Sequence, residues 1–196
     1  MFTLHYPLIL ASGSPRRKQL MADAGFSFTV ETRPTDEVFP DTMPVNDVAE
    51  YLARQKAEQF LPEPGQTLDC IVLCADTVVI VDDTILNKPQ NEADAYNMLR
   101  LLSGRTHRVR TGVAILSPDG MQSFTDETTV QFAHLTDDEI SHYIRTCQPF
   151  DKAGAYGAQD FIGLVAIERL NGSFYTVMGL PTHRVYQALK RMMNDK

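Results

Sequence analysis

The stretch Ala11-Ser12-Gly13-Ser14-Pro15-Arg16-Arg17-Lys18 has the makings of an anion site. A turn of small residues leads into a helix start, where backbone N–H groups lack intrahelical partners and attract negative charge. Arg16 and Arg17 fall in the first helical turn, where the helix dipole disfavours cations. An anion lying between them and the helix end would remove that conflict. A capped helix carrying two surface arginines accounts for the same residues equally well. The pattern G-x-x-x-x-G-K-[ST] is absent, so this is not a Walker-type loop.

Other segments carry reactive or ligating groups. Lys56 shares a helical stripe with Leu52 and Phe60, and a lysine on an apolar stripe needs either a partner or a route to solvent. It reads as a snorkelling side chain or as a phosphate ligand. In Cys74-Ala75-Asp76-Thr77 an apolar run ends in a carboxylate followed by a hydroxyl. Ligands of open α/β sheets gather at the carboxyl ends of strands, and an Asp there can hold Mg²⁺ or take a proton from water. Lys88 is held extended by Pro89. Ser103-Gly104-Arg105-Thr106-His107 is a turn with cationic and hydroxyl donors. Between Phe150 and Gln159, glycines and alanines allow close backbone approach, and Gln159 offers a donor and an acceptor suited to a base edge. His5, His107, His134, His142 and His183 are scattered without ligand spacing and read as structural.

The elements that must position these groups are legible in outline. Pro7 to Ala11 reads as a buried strand. Ser14 caps a helix from Pro15 to about Ala24, which Gly25 ends. Phe26 to Glu31 is a short strand, and Val45 to Phe60 a helix with Val48, Ala49, Leu52 and Ala53 on one stripe. A strand from Asp69 to Ala75 precedes a hairpin of Val78 to Val81 and Thr84 to Leu86, turning at Asp82-Asp83. Ala93 to Leu102 is helical. His107 to Leu116 and Gln122 to Ala133 are long strands joined by Ser117-Pro118-Asp119-Gly120. Thr136 caps a helix from Asp137 to Thr146, Phe161 to Leu170 is a strand, and Pro181 opens a last helix ending near Met193. Early alternation of strands and helices followed by a long antiparallel pair predicts one α/β domain, residues 1–196, on a mixed sheet with two lobes around a cleft.

Bulk properties narrow the function. The chain has 196 residues, 43% of them hydrophobic, enough for one well-buried core. Its formal net charge of -7 argues against wrapping a nucleic-acid backbone, while a local cluster of cations can still bind a small anion. Three cysteines, Cys70, Cys74 and Cys147, fit neither a zinc site nor a disulfide framework and read as reduced thiols. No apolar run approaches the roughly 18 residues of a membrane span. A cytoplasmic protein without nucleic-acid or membrane partners is expected.

Taken in order, these segments resemble the Maf family of nucleotide pyrophosphatases. The resemblance rests on Leu10 to Arg17, Ala53 to Ala57, Ala75 to Val79, Lys88-Pro89, Leu102 to His107, Asp151 to Gly157 with Gln159, and Val177 to Pro181, and it spans about Leu8 to Leu189. It implies a single α/β unit with an elongated mixed sheet and a deep cleft, distantly like inosine triphosphatase. It implies hydrolysis of a nucleoside triphosphate between the α and β phosphates, aided by Mg²⁺ or Mn²⁺, in the cleansing of nucleotide pools, and it suggests a homodimer. The loop Gly154-Ala155-Tyr156-Gly157 with Gln159 is similar to that of members acting on dTTP and UTP. A sister branch that prefers methylated guanine nucleotides differs there. Matching positions make Asp76 the proton acceptor, Arg16, Thr77 and Gln159 specificity residues, and Ser12, Arg17, Glu37, Lys56 and Lys88 the phosphate and metal site. Asp76 and Glu37 are the metal-side carboxylates, with Asp36 an alternative to Glu37. Cys74 stands where most members have glycine, and Asn87 where glycine or an acid is usual. The rival readings are a nucleotide-binding regulator of septum formation and a pyrophosphatase of the methylated-guanine branch.

Overall fold

A computed structural model describes residues 3–193. Its elements in chain order are β1 (Leu8–Leu10), α1 (Pro15–Asp23), β2 (Thr29–Val30), α2 (Val48–Glu58), β3 (Ile71–Val81), β4 (Thr84–Leu86), α3 (Glu92–Leu102), β5 (Thr106–Ser117), β6 (Gly120–Phe132), α4 (Asp137–Cys147), α5 (Phe161–Ala166), β7 (Ile167–Asn171), α6 (Phe174–Met178) and α7 (Thr182–Lys190). Among the described residues, seven strands form one mixed sheet in the order β2-β1-β3-β5-β6-β7, with β4 paired to β3. β1 runs parallel to both neighbours, with Ile9 opposite Thr29 and Leu10 opposite Leu73. β3 and β4 are antiparallel, as are β6 and β7, the latter pair with a bulge between Gln131 and Phe132. The mixed α/β sheet expected from the sequence is therefore present.

The chain divides into two compact units. The first comprises Met1–Asp76, Thr111–Asp126 and Gly179–Lys196, and the second Thr77–Arg110 and Glu127–Met178. Each has an apolar core. In the first unit Ala53, Ala57 and Phe60 of α2 and the turn after it pack with Val72, Cys74, Ala114 and Leu116. Gly112 lies where a Cβ would meet the carbonyl oxygen of Ala49 at 2.2 Å, so only glycine lets β5 and α2 approach this closely. In the second unit Leu99 and Leu102 of α3, Ile140, Tyr143 and Ile144 of α4, and Val130 and Phe132 of β6 share a core with Tyr156 and Ile162.

Local chemistry explains most element ends. Ser14 accepts from the Arg17 N–H at the start of α1, with Pro15 in the first helical position. Thr136 and Glu139 form a reciprocal capping box on α4. Asp82 and Asp83 both take positive φ, the geometry of a tight hairpin turn between β3 and β4.

Two expectations require correction. The sequence pattern ends a strand at Ala75, yet β3 runs without a break from Ile71 to Val81, so Asp76 and Thr77 lie mid-strand. The charge does not break the strand because a lysine neutralises it, as described below. The pattern also makes Phe161 to Leu170 a single strand. Instead α5 occupies Phe161–Ala166 and only Ile167–Asn171 is extended. Gly163 permits the helical turn, since a Cβ there would overlap the Ala158 carbonyl oxygen at 1.7 Å. The short α6 leaves no mark in the sequence pattern, and α7 ends at Lys190 rather than near Met193.

Candidate functional site

Within the first unit, five of the expected site residues are joined by charge and hydrogen bonds. Lys56, in the last turn of α2, reaches the β3 carboxylate: its Nζ donates to Asp76 Oδ1 at 2.5 Å and to Glu37 Oε1 at 2.8 Å. One ammonium therefore bridges two carboxylates and holds their oxygens near each other. Of the adjacent acids Asp36 and Glu37, it is Glu37 that engages Lys56. Asp76 is 8% exposed, buried enough to need its partner and still accessible. Lys56 therefore pairs internally and does not snorkel to bulk solvent.

Arg17 is anchored at the start of α1. Its Nε donates to the Gly179 carbonyl at 2.7 Å and its NH1 to Ser12 Oγ at 3.3 Å. Ser12 Oγ also accepts from the Ser14 N–H at 3.3 Å, so this hydroxyl organises the turn as well as the arginine. Burial pulls the Arg17 guanidinium below its ordinary value; the Asp76 carboxylate opposes this, the Arg16 charge adds to it, and Glu37 and Cys74 oppose it. Arg17 is thus within electrostatic reach of both carboxylates. The neighbouring Cys74 thiol is pushed up to about 12 by burial, against the pull of Lys56 and Arg17, and stays protonated at neutral pH. Arg16, half-buried, occupies the first turn of α1.

The other expected residues belong to the second unit. Thr77 follows Asp76 on β3, so its side chain points to the opposite face of the strand. Lys88 is exposed just after β4, and the carbonyl of its neighbour Asn87 accepts from the Gly154 N–H at 3.1 Å. That bond ties the Lys88 segment to the loop leading to Gln159. Gly154 and Ala155 both have positive φ, of 67° and 59°. Ala155, with its Cβ, is strained there, and such strain concentrates at ligand-holding loops. Gln159 is exposed.

The side chains of the 103–107 turn make contacts within the second unit. Arg105 pairs with Asp82, Ser103 Oγ accepts from the Leu135 N–H at 2.8 Å, and Gly104 leaves room for the His134 ring. His107 is buried, bonds Tyr156 Oη at 2.8 Å and is pulled down to about 4 by burial, so it is neutral at pH 7.

Tyr143 and Asp160, which the sequence reading does not single out, form a polar group beside the Gln159 loop. Tyr143 Oη donates to Asp160 Oδ2 at 3.0 Å and accepts from the Gly157 N–H at 3.0 Å, while Lys152 Nζ lies 3.5 Å from the same Asp160 oxygen. The available signal is the acid directly after Gln159. Tyr143 sits at ordinary core spacing on α4 and gives none.

Among the described residues, no helix is long and apolar enough to cross a membrane, and no cluster of three or more His, Cys, Asp or Glu side chains is arranged to hold a metal.

The profile of the Maf-like protein family matches residues 7–192. The dTTP/UTP pyrophosphatase of Phocaeicola vulgatus is 43% identical over 188 residues, covering 95% of this chain and 96% of its own. Its namesake from Porphyromonas gingivalis strain W83 is 46% identical over 186 residues, 94% of each chain. That of Bacteroides thetaiotaomicron is 42% identical over 190 residues, 95% of this chain and 96% of its own. Among solved structures, the Staphylococcus aureus Ham1 protein aligns with a TM-score of 0.45 at 14% identity, covering 65% of this chain and 72% of that one. A profile match over nearly the whole length, with relatives of this identity and coverage, means that the chain belongs to the Maf-like protein family.

Proposed function

We propose that the protein is a nucleoside triphosphate pyrophosphatase that hydrolyses dTTP and UTP to the monophosphate and pyrophosphate, with residues 1–196 acting as one nucleotide-handling domain. The names of its relatives support the activity and the substrates. The observation that carries the reading is the Lys56 ammonium bonded to both Asp76 and Glu37, with Arg17 within electrostatic reach. A mid-strand carboxylate held by a lysine has no evident structural purpose that an apolar pair would not serve as well or better.

Phosphoryl chemistry needs positioning and charge neutralisation more than covalent participation. Arg16, Arg17, Lys56 and Lys88 would grip the triphosphate, arginine through its fork and lysine as a point charge. Ser12 would hold Arg17 in place and line the phosphate turn. On substrate binding, Lys56 would exchange a carboxylate partner for phosphate oxygens. That frees Asp76 to take the proton of the water that attacks phosphorus as the α–β anhydride bond breaks and pyrophosphate leaves.

A divalent cation fits this donor set. Mg²⁺ and Mn²⁺ favour hard oxygen ligands, and Mg²⁺ commonly binds through one or two carboxylates plus substrate phosphates. Asp76 and Glu37 supply two such carboxylates, already gathered around the single Lys56 ammonium. When bound, the cation would withdraw charge from the scissile phosphate. Thr77, Arg16 and Gln159 would read the pyrimidine.

The test is pyrophosphate release from dTTP and UTP by purified protein, with and without Mg²⁺ or Mn²⁺. Asp76→Asn should keep the fold and lose roughly 10²-fold or more in kcat, the usual scale for a general base. Near-normal turnover by this variant would remove Asp76 from the role.

A further inference from the structure

The Tyr143–Asp160–Lys152 group adjoins Gln159, the residue assigned to the nucleobase, and has no part in the mechanism above. Asp160 stands at the N-cap of α5 yet makes no side-chain cap bond. Its carboxylate turns instead to the buried Tyr143 hydroxyl, with Lys152 close to the same oxygen. The Gly157 N–H, donating to Tyr143 Oη, fixes the loop against the same hydroxyl. Where a Cβ on Gly157 would sit, Asp160 Oδ2 is 2.6 Å away and Gln159 Nε2 is 2.8 Å away. Both atoms crowd the same point beside Gly157, so the Gln159 amide nitrogen and the Asp160 carboxylate flank it.

We propose that Asp160, anchored by Tyr143 and Lys152, is a positioning residue that orients the Gln159 amide and thereby favours uracil and thymine over cytosine. The proposal rests on the reading of Gln159 as a base contact. The orientation of a glutamine amide is decided by its neighbours. A carboxylate attracts the amide N–H₂ end and repels the carbonyl end. An amide drawn to Asp160 through its Nε2 end presents Oε1 as the acceptor. Uracil and thymine present an N3–H donor to such an acceptor. Cytosine presents a lone pair at N3, which would leave the two acceptors facing each other. A site built to hydrogen-bond one group discriminates against a ligand lacking it, because a polar atom is then left unpaired.

The experiment measures kcat and KM for UTP and for CTP in the wild type, Asp160→Asn and Tyr143→Phe. Asp160→Asn removes the charge that orders the amide. Its ratio of kcat/KM for UTP over CTP should fall about tenfold, the weight of one hydrogen bond, with kcat on UTP little changed. Tyr143→Phe loosens the carboxylate and should lower the ratio in the same direction, by about threefold. If Asp160→Asn fails to fold, Tyr143→Phe carries the test. A merely structural role would slow both nucleotides alike. An unchanged or increased ratio in the folded variants, with UTP hydrolysis persisting, overturns the proposal while leaving the pyrophosphatase reading intact. A wild type that releases no pyrophosphate from UTP or dTTP refutes that reading and this proposal with it.

Discussion

Lys56 is the counterion of two carboxylates, and removing it should do more harm than removing either of them. Consider Lys56→Met, which keeps the length of the stem and deletes the charge. Asp76 and Glu37, both bonded to the one ammonium in the wild type, are then left facing each other if the backbone holds. Two like charges roughly 5 Å apart repel by about 3 kcal/mol at an effective dielectric of about 20. Glu37 is 45% exposed, so solvent screening reduces this to about 1–2 kcal/mol. Asp76 also loses the partner that makes its burial tolerable, so a total cost of about 2 kcal/mol is expected. Asp76→Asn behaves differently, because Lys56 keeps Glu37 at 2.8 Å; its cost should stay below about 1 kcal/mol. The double variant Lys56→Met/Asp76→Asn removes the repulsion and should recover most of the loss. Urea unfolding at neutral pH measures all four proteins. Added Mg²⁺ should stabilise Lys56→Met more than the wild type, since the cation no longer competes with an ammonium for the carboxylates. The reasoning is refuted if Lys56→Met is as stable as Asp76→Asn and Mg²⁺ has no larger effect on it than on the wild type.

Acid should destabilise the fold through His107, whose burial depresses it from 6.5 to about 4. With the folded value below the unfolded one, the unfolded chain takes up the proton first. Stability is then full above about pH 6.5 and falls towards about pH 4, by roughly 3 kcal/mol at most. Thermal melts of His107→Asn and the wild type across that range should converge on acidification, and parallel curves would exclude the assignment. Gly112→Ala should cost roughly 2–4 kcal/mol in urea unfolding, because its methyl would press on the Ala49 backbone, which has no room to yield.

How much of this is legible in the sequence depends on the range of the interaction responsible. Caps and turns act over a few residues, so Ser14, Thr136 and the Asp82-Asp83 turn mark their elements correctly. Asp76 reads as a strand end only while its neighbours along the chain are considered. The lysine that lets β3 continue lies 20 positions away on α2. A charge inside an apolar run is as much a sign of a distant counterion as of a strand end. The error over Phe161–Ala166 has another origin. Its apolar and β-branched residues suit a strand, yet Leu164 is 83% exposed and no alternation is satisfied. The close packing of Gly163 on Ala158 wins over that propensity. Tyr143 is invisible in the sequence because its role begins only when the 157–160 turn is folded against it.

The partition of the chain bears on how an acidic protein could handle an acidic substrate. The border between the two units falls between Asp76 and Thr77. Ser12, Arg16, Arg17, Glu37, Lys56 and Asp76 belong to one unit, and Thr77, Lys88 and Gln159 to the other. On the proposed roles, the first unit holds the proton acceptor, the metal-side carboxylates and most of the phosphate cations, while the second holds two of the three base-reading groups. In the first unit, cations and acids are matched closely enough that the net charge of -7 is no measure of what a triphosphate would meet there. Such matching also explains why a lysine should guard the carboxylates. On the proposed roles it would keep two acids tolerable near each other until phosphate or a divalent cation took its place, which is the exchange the Lys56→Met experiment is built to detect.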